Sequence, residues 1–354
     1  MKIPCLIHLL PLTAFLLTGL LHSPTALAQP LFRETPTGTA ASLRAVSAPG
    51  NRVIWLAGNG GTILRSVSEG ETWALRGIPG FEKSDFRSLY AFDSLHALVA
   101  CTGSPAVILR TADGGQNWQE VYRNTHPEAF LDGIDFWDQD RGMVYGDPLN
   151  GRFLLLLTTD GGRTWLPVPE EQRPAADSGE ASFAASGTAI RLWDKQKAAI
   201  ATGGRVSRIW YTENGGRNWI CRPVPIIQGA ASQGIFSIAV RGRKWVVTGG
   251  DFTRDTLRRN HVFYSEDEGK TWNFPARPTG GYRESVEWTD SGGLLATGPG
   301  GSDFSSDGGK TWEPVTELAG FHVVRQARGG KEMVMAGGKG RAAVASEKKP
   351  SGKK

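Results

Sequence analysis

Six times along this chain an eight-residue segment recurs that opens on a hydroxyl residue and closes on tryptophan. The copies are SVSEGETW from Ser66, TADGGQNW from Thr111, TTDGGRTW from Thr158, TENGGRNW from Thr212, SEDEGKTW from Ser265 and SSDGGKTW from Ser305. Their tryptophans, Trp73, Trp118, Trp165, Trp219, Trp272 and Trp312, stand 45, 47, 54, 53 and 40 residues apart. A period of roughly 40 to 50 residues matches one four-stranded sheet unit, and such units bury their apolar faces only against one another.

The residues around each copy supply the strands. In the second unit Phe86 to Phe92 reads as an inner strand, Ala97 to Ala100 as the second, Val107 to Thr111 as the third and Trp118 to Tyr122 as the outer one. The order repeats through Ile134 to Trp137, Ile190 to Trp193, Ile235 to Val240 and Val286 to Trp288. A seventh unit runs from Phe321 to Ser346 but has neither the repeated segment nor a fourth strand. The mature N-terminus, Leu31 to Thr35, is the expected donor, because closing the ring from the other end of the chain removes exposed sheet edges. The expected fold is all-β, a seven-bladed β-propeller of four-stranded antiparallel blades.

Composition agrees, with 46 Gly, 20 Pro and 12 Trp among 354 residues and only 21% charged, which favours tight turns between short strands. The chain is expected to divide into a signal peptide at 1–28, the propeller at 29–346 and a basic tail at 347–354. Residues 1–28 carry one charged side chain, Lys2, then the apolar stretch Leu6 to Leu21 and the cleavage-like Ala26-Leu27-Ala28. The apolar stretch is short for a bilayer span of about 20 residues, so cleavage and a periplasmic or secreted product are expected, with no transmembrane segment afterwards. The net charge of +5 falls to +4 without Lys2, and the tail carries four Lys against one Glu. The body is therefore near neutral, and no basic stripe suits nucleic acid. Cys101 and Cys221 lie in different repeats and read as free, buried thiols.

Within the repeated segment, paired glycines such as Gly114-Gly115, Gly161-Gly162 and Gly308-Gly309 permit backbone angles that a side chain resists. The carboxylates and amide of Asp113, Asp160, Asn214, Asp267 and Asp307 suit acceptance of turn N–H groups. Each Trp offers a large apolar surface between sheets. These acids read as scaffold rather than as catalytic or metal-binding groups. Ser68 replaces the acid in the first copy, whose turn is expected to be the weakest.

With the repeats, Phe86-Arg87-Ser88-Leu89, Leu131-Asp132-Gly133-Ile134-Asp135-Phe136-Trp137 and Gly146-Asp147-Pro148 in hand, the chain resembles the BNR/Asp-box propellers, specifically the photosystem II stability/assembly factor family. The expectation is a non-photosynthetic bacterial member, since nothing in the sequence marks a photosynthetic host. The resemblance implies a non-enzymatic exported platform that holds a protein client of the cell envelope, using an arginine-bearing face. Arg87 and Arg283 match the aromatic-Arg start of an inner strand, and Asp132, Ala184, Ser237 and His322 take the comparable places in other blades.

Because the repeated turns join third to fourth strands, a binding face is expected on the opposite rim, at the loops entering inner strands and those joining second to third strands. That face collects Arg87, Asp132, Asp147, Asp251, Arg254, Tyr282, Arg283, Asp303 and His322, a mixture suited to an anionic or peptide ligand. The long loops Pro167 to Ser182 and Asp251 to His261 are candidate contact elements. No catalytic residue, cofactor or metal is expected, and the protein is expected to be a monomer. The rival classes are a sialidase-like or other glycoside hydrolase, for which Tyr282 and Glu284 are the nucleophile pair, and a carbohydrate-binding module. The division of roles within the repeat predicts that Trp165→Ala costs about 3–5 kcal/mol of stability, as for large core aromatics, and Asp160→Asn far less. Equal losses in denaturant unfolding would contradict it.

Overall fold

The computed structural model describes residues 29–50, 52–315 and 317–346, so the leader and basic tail expected from the sequence lie outside the described residues. Seven antiparallel sheets stand around a central axis, each beginning with an inner strand. The inner strands are Leu43–Ser47, Phe86–Ala91, Leu131–Phe136, Ile190–Trp193, Gln233–Arg241, Ser285–Trp288 and Phe321–Gln326. The expected seven-bladed propeller is therefore the fold observed.

Closure follows the sequence reading. Leu31–Pro36 is the outermost strand of blade seven and pairs antiparallel with Arg341–Ser346 from Leu31↔Ser346 to Pro36↔Arg341. Glu34 and Arg341 form an ion pair across this seam. Blade one grips the same strand, since the Trp73 indole N–H donates to the Thr35 hydroxyl at 3.3 Å. One sheet thus pairs the first and last strands of the described chain, and releasing either from blade seven breaks a strand pairing.

At each repeated turn the opening hydroxyl accepts the N–H four residues on, for example Gly115 to Thr111 at 3.0 Å and Gly309 to Ser305 at 2.9 Å. The acid then bridges the other side of the turn. One Asp113 oxygen accepts the N–H groups of Gln116 and Asn117, both at 3.0 Å. These bonds, the one from Asn117 foremost, hold the Asp113 carboxyl down at about 2. Ser68 in blade one accepts only the Thr72 N–H, at 3.0 Å, on that side of its turn. The left-handed backbone is required even where glycine is missing, because Glu69 and Glu268 sit at φ 58 and 63 in the place of the first glycine.

Apolar layers fill the spaces between neighbouring blades. Trp55 of blade one meets Trp118 of blade two edge to face at 6.3 Å, and Trp193 of blade four meets Trp245 of blade five at 5.6 Å. Indole N–H groups latch adjacent sheets, as Trp55 donates to Asp93 O at 3.0 Å and Trp137 to Lys197 O at 2.7 Å. Cys101 is buried in this layer, whereas Cys221 is exposed, contrary to expectation, because it sits on an outer edge strand, Ile220–Pro223.

Blade five departs from the common plan. Glu180–Ala181 and Gly203–Gly204 extend its sheet inward, and its outer strand shrinks to the bridge Tyr264↔Asn273. Pro275 follows at once and has no N–H to continue a ladder. If the closing strand holds the ring, a chain beginning after Pro36 unfolds at a lower temperature than one beginning at Gln29 and self-associates through the bared edge of Arg341–Ser346. Calorimetry and size-exclusion chromatography read both effects, and equal midpoints would contradict the closure argument.

Candidate functional site

Strand register decides which side chains face the axis. In five blades the inner strand carries a register shift near its start, between Leu43 and Ala45, Phe86 and Ser88, Leu131 and Gly133, Ile235 and Ser237, and Phe321 and Val323. The bulged residues are Arg44, Arg87, Asp132, Phe236 and His322, and the same register puts Thr188 and Glu284 at this level in blades four and six. A bulge re-aims its side chain, and here the five bulged residues stand with Glu284 of blade six around one mouth of the central channel. Opposite the bulge, glycine is often required: a Cβ on Gly58, Gly146, Gly249 or Gly337 would fall on the backbone carbonyl of the entering segment.

This register corrects two sequence assignments. Blade five presents Phe236 rather than Ser237, whereas in blade four Thr188 holds the equivalent register position fully buried and Ala184 lines the cup. In blade six Glu284 takes the mouth position and Arg283 turns away, because a one-residue offset reverses the face. Arg283 and Asp303 were both expected on the binding face. They instead form a buried ion pair, with Nε to Oδ2 at 2.7 Å and side chains 4% and 3% exposed. Arg283 also donates to Tyr282 O at 2.8 Å.

Within the mouth lies a cup of about 460 Å³ lined from blades one to six. One wall is aromatic. Phe183 stacks on Phe236 with centroids 3.8 Å apart and planes 6° apart, Tyr282 meets Phe236 edge to face at 4.8 Å, and Phe252 stands edge-on to Phe183 and Phe236 while 51% exposed. The charged lining is Arg44, Arg87, Asp147, Asp255 and Glu284.

Glu284 is a hub. It accepts the Tyr282 hydroxyl at 3.1 Å, His322 Nδ1 lies 2.6 Å from it, and the Arg44 guanidinium lies 3.4 Å from both its oxygens. Burial, and then the Glu284 charge, push the Tyr282 phenol well up. Arg87 is held by Asp85 at 2.7 Å. Asp147 accepts the Ser182 N–H at 2.8 Å, and burial raises its carboxyl. Behind it Asp132 is 1% exposed, and neither of its oxygens has a hydrogen-bond partner. Burial, reinforced by the Asp147 charge, pushes Asp132 well above the usual carboxylate range against the pull of Arg87.

Asp251 and Arg254 lie at the side of this arrangement, where Asp251 organises its own loop. It accepts from Thr253, Gln233 and Arg254, and those bonds outweigh burial and hold it well below the ordinary value. The structure therefore brings Arg87, Asp132, Asp147, Tyr282 and His322 together, leaves Asp251 and Arg254 outside the cup lining, and buries Arg283 and Asp303.

Below the mouth, the residues three positions further along four inner strands are Asp135, Arg191, Glu287 and Arg325. Arg191 reaches Glu287 at 2.9 Å across blades, Arg325 approaches Glu287 at 3.5 Å, and Asp135 accepts the Leu192 N–H at 2.9 Å. With the hydroxyl chain Ser186, Thr188 and Ser237, they make a polar floor. Sequence reading missed both this floor and Arg44. Charged residues inside otherwise apolar inner strands were the available signal for the floor. For Arg44 it was Leu43-Arg44, which stands before Ser66 much as Phe86-Arg87 stands before Thr111.

The buried pair in blade six predicts that Arg283→Met alone costs about 3–5 kcal/mol, since it strands Asp303, whereas the double variant with Asp303→Leu recovers most of the loss. Denaturant unfolding measures both, and a double variant no better than the single one would contradict this account.

Residues 91–231 match the family model described as "Photosynthesis system II assembly factor YCF48". Photosystem II stability/assembly factor HCF136 of Oryza sativa subsp. japonica is 26% identical over 168 residues, 44% of this chain and 39% of its own length. The Arabidopsis thaliana protein of that name is 25% identical over 72% of this chain and 64% of its own length. The chain thus spans less than two thirds of these two plant relatives. Photosystem II assembly lipoprotein Ycf48 of Synechococcus sp. (strain CC9902) is 24% identical over 73% of this chain and 71% of its own. Among solved structures, "YCF48 bound to D1 peptide" superposes with a TM-score of 0.66 at 15% identity over 91% of this chain and 99% of that one. YCF48 from Cyanidioschyzon merolae gives 0.66 at 17% identity over 89% and 98%. Repeats, register and these matches together show a seven-bladed propeller that is similar to the photosystem II stability/assembly factors.

Proposed function

We propose that this protein is an exported, non-enzymatic platform that holds a segment of a client protein in the axial cup, acting as a monomer in the periplasm or outside the cell. The cup itself carries the reading. It is a concave site on the rim opposite the repeated turns, and it combines an aromatic wall, a half-exposed Phe252 and polar groups above a layer of paired charges. Such sites fix a ligand by apolar contact and orient it by a few polar groups. The fold likeness to a relative described as bound to a D1 peptide supports the same use of the ring, with a client in the cell envelope of this chain's own host.

A hydrolytic reading draws on one observation, the Tyr282 hydroxyl 3.1 Å from a carboxylate, as in an activated nucleophile. The geometry weighs against it, because the Glu284 carboxylate is already engaged by Arg44 and His322, and Tyr282 is only 2% exposed.

Affinity capture from envelope extracts tests the platform reading. Phe252→Asp removes an exposed cup contact and is expected to abolish recovery of the client. Leu166→Asp changes a residue 70% exposed on the outer edge of blade three and is expected to leave recovery intact. Equal recovery with both variants would place the client elsewhere.

A further inference from the structure

The charges of the cup do not match the arginine-led face expected from the sequence. Both of its guanidinium groups are engaged within the chain, Arg44 by Glu284 and Arg87 by Asp85. Its lining has two guanidinium groups against three carboxylates, those of Asp147, Asp255 and Glu284. Among the described residues no Lys or Arg forms an ion pair with Asp147 or Asp255.

The wall beside Asp147 has further unmet acceptors. Asp132, immediately behind, is 1% exposed with both oxygens unpartnered. The Ser182 hydroxyl, on the cup wall and 7% exposed, has no partner beyond a loose approach to the Tyr145 hydroxyl. A buried carboxyl without a partner is costly. A primary ammonium supplies what this wall lacks, one positive charge and three N–H donors on a compact head. An acidic segment would set its carboxylate against Asp147 and Asp255 and would have to displace Asp85 or Glu284 from the arginines.

Building on the reading of the cup as a client-binding face, we infer that its occupant is a basic, apolar peptide segment. A lysine side chain of that segment sits at Asp147 and Ser182 with Asp132 behind, and an adjoining apolar side chain lies on Phe183, Phe236 and Phe252. The aromatic wall supplies affinity that does not depend on charge, and the carboxylate wall selects the sign.

Fluorescence anisotropy with three labelled decapeptides, leucine alternating with lysine, serine or glutamate, tests the inference on the purified protein. The lysine peptide is expected to bind about tenfold or more tighter than the serine peptide, and the glutamate peptide weakest. Asp147→Asn is expected to weaken lysine-peptide binding about tenfold at an unchanged unfolding midpoint, and Asp132→Asn to weaken it about tenfold while raising the midpoint, since it removes the unpartnered buried carboxyl. Asp113→Asn, at a turn on the opposite rim, leaves binding unchanged, and Arg87→Gln, which removes a cationic group from the lining, strengthens it. Tighter binding of the glutamate peptide, lost on Arg87→Gln, would overturn the basic-segment inference while leaving the client-binding face standing. An equal loss in Asp113→Asn would show attraction without a site and overturn it too. Failure of the lysine peptide to bind while Phe252→Asp still abolishes client capture would overturn this inference alone.

Discussion

The ladder between Leu31–Pro36 and Arg341–Ser346 is the interaction on which the rest of the molecule depends. Each blade buries its faces only against its neighbours, so an open array would leave a terminal blade with one apolar face and one unpaired edge in water. Pairing the two ends of the chain in a single sheet removes both defects. It also converts a row of sheets into a cylinder whose inner strands converge. Without convergence Arg44 of blade one and Glu284 of blade six, 240 residues apart in the chain, would not share a cup.

Convergence imposes its own condition at the axis. Inner strands approach one another where there is little room for large side chains, and in five blades a bulge near the strand start turns one residue toward the mouth. Those residues and the charged layer beneath them cannot all be solvated. They satisfy one another across blades, as in Arg191 with Glu287 and Glu284 with Arg44, Tyr282 and His322. Asp132 is the exception, a buried carboxyl left without a partner beside a second carboxyl. A local rule broken without compensation is where function is to be sought.

Much of this was legible beforehand because each repeated turn solves the same local problem. A left-handed backbone, a hydroxyl at the start and an acid across the loop leave the same spelling wherever they occur, so Asp113, Asp160, Asp267 and Asp307 announced the blades. The missing fourth strand of blade seven was equally visible, and it named its donor. Arg87, Asp132 and His322 were placed at the mouth because aromatic or apolar residues precede them at the start of an inner strand. Tyr282-Arg283 has the same spelling as Phe86-Arg87 but a different register, and register is set by pairing with Thr297 rather than by local sequence. One residue of offset sent Arg283 into a buried pair with Asp303 and put Glu284 in the cup.

By itself the sequence determined the ring, its number of blades and its closure, because these depend on turns and periods that are local in the chain. Only the tertiary structure decided the electrostatic character of the axial cup. The charge a cup presents is what remains after its groups have paired, and Arg44 with Glu284 or Arg283 with Asp303 are pairings made by the curvature of the ring and the register of its strands.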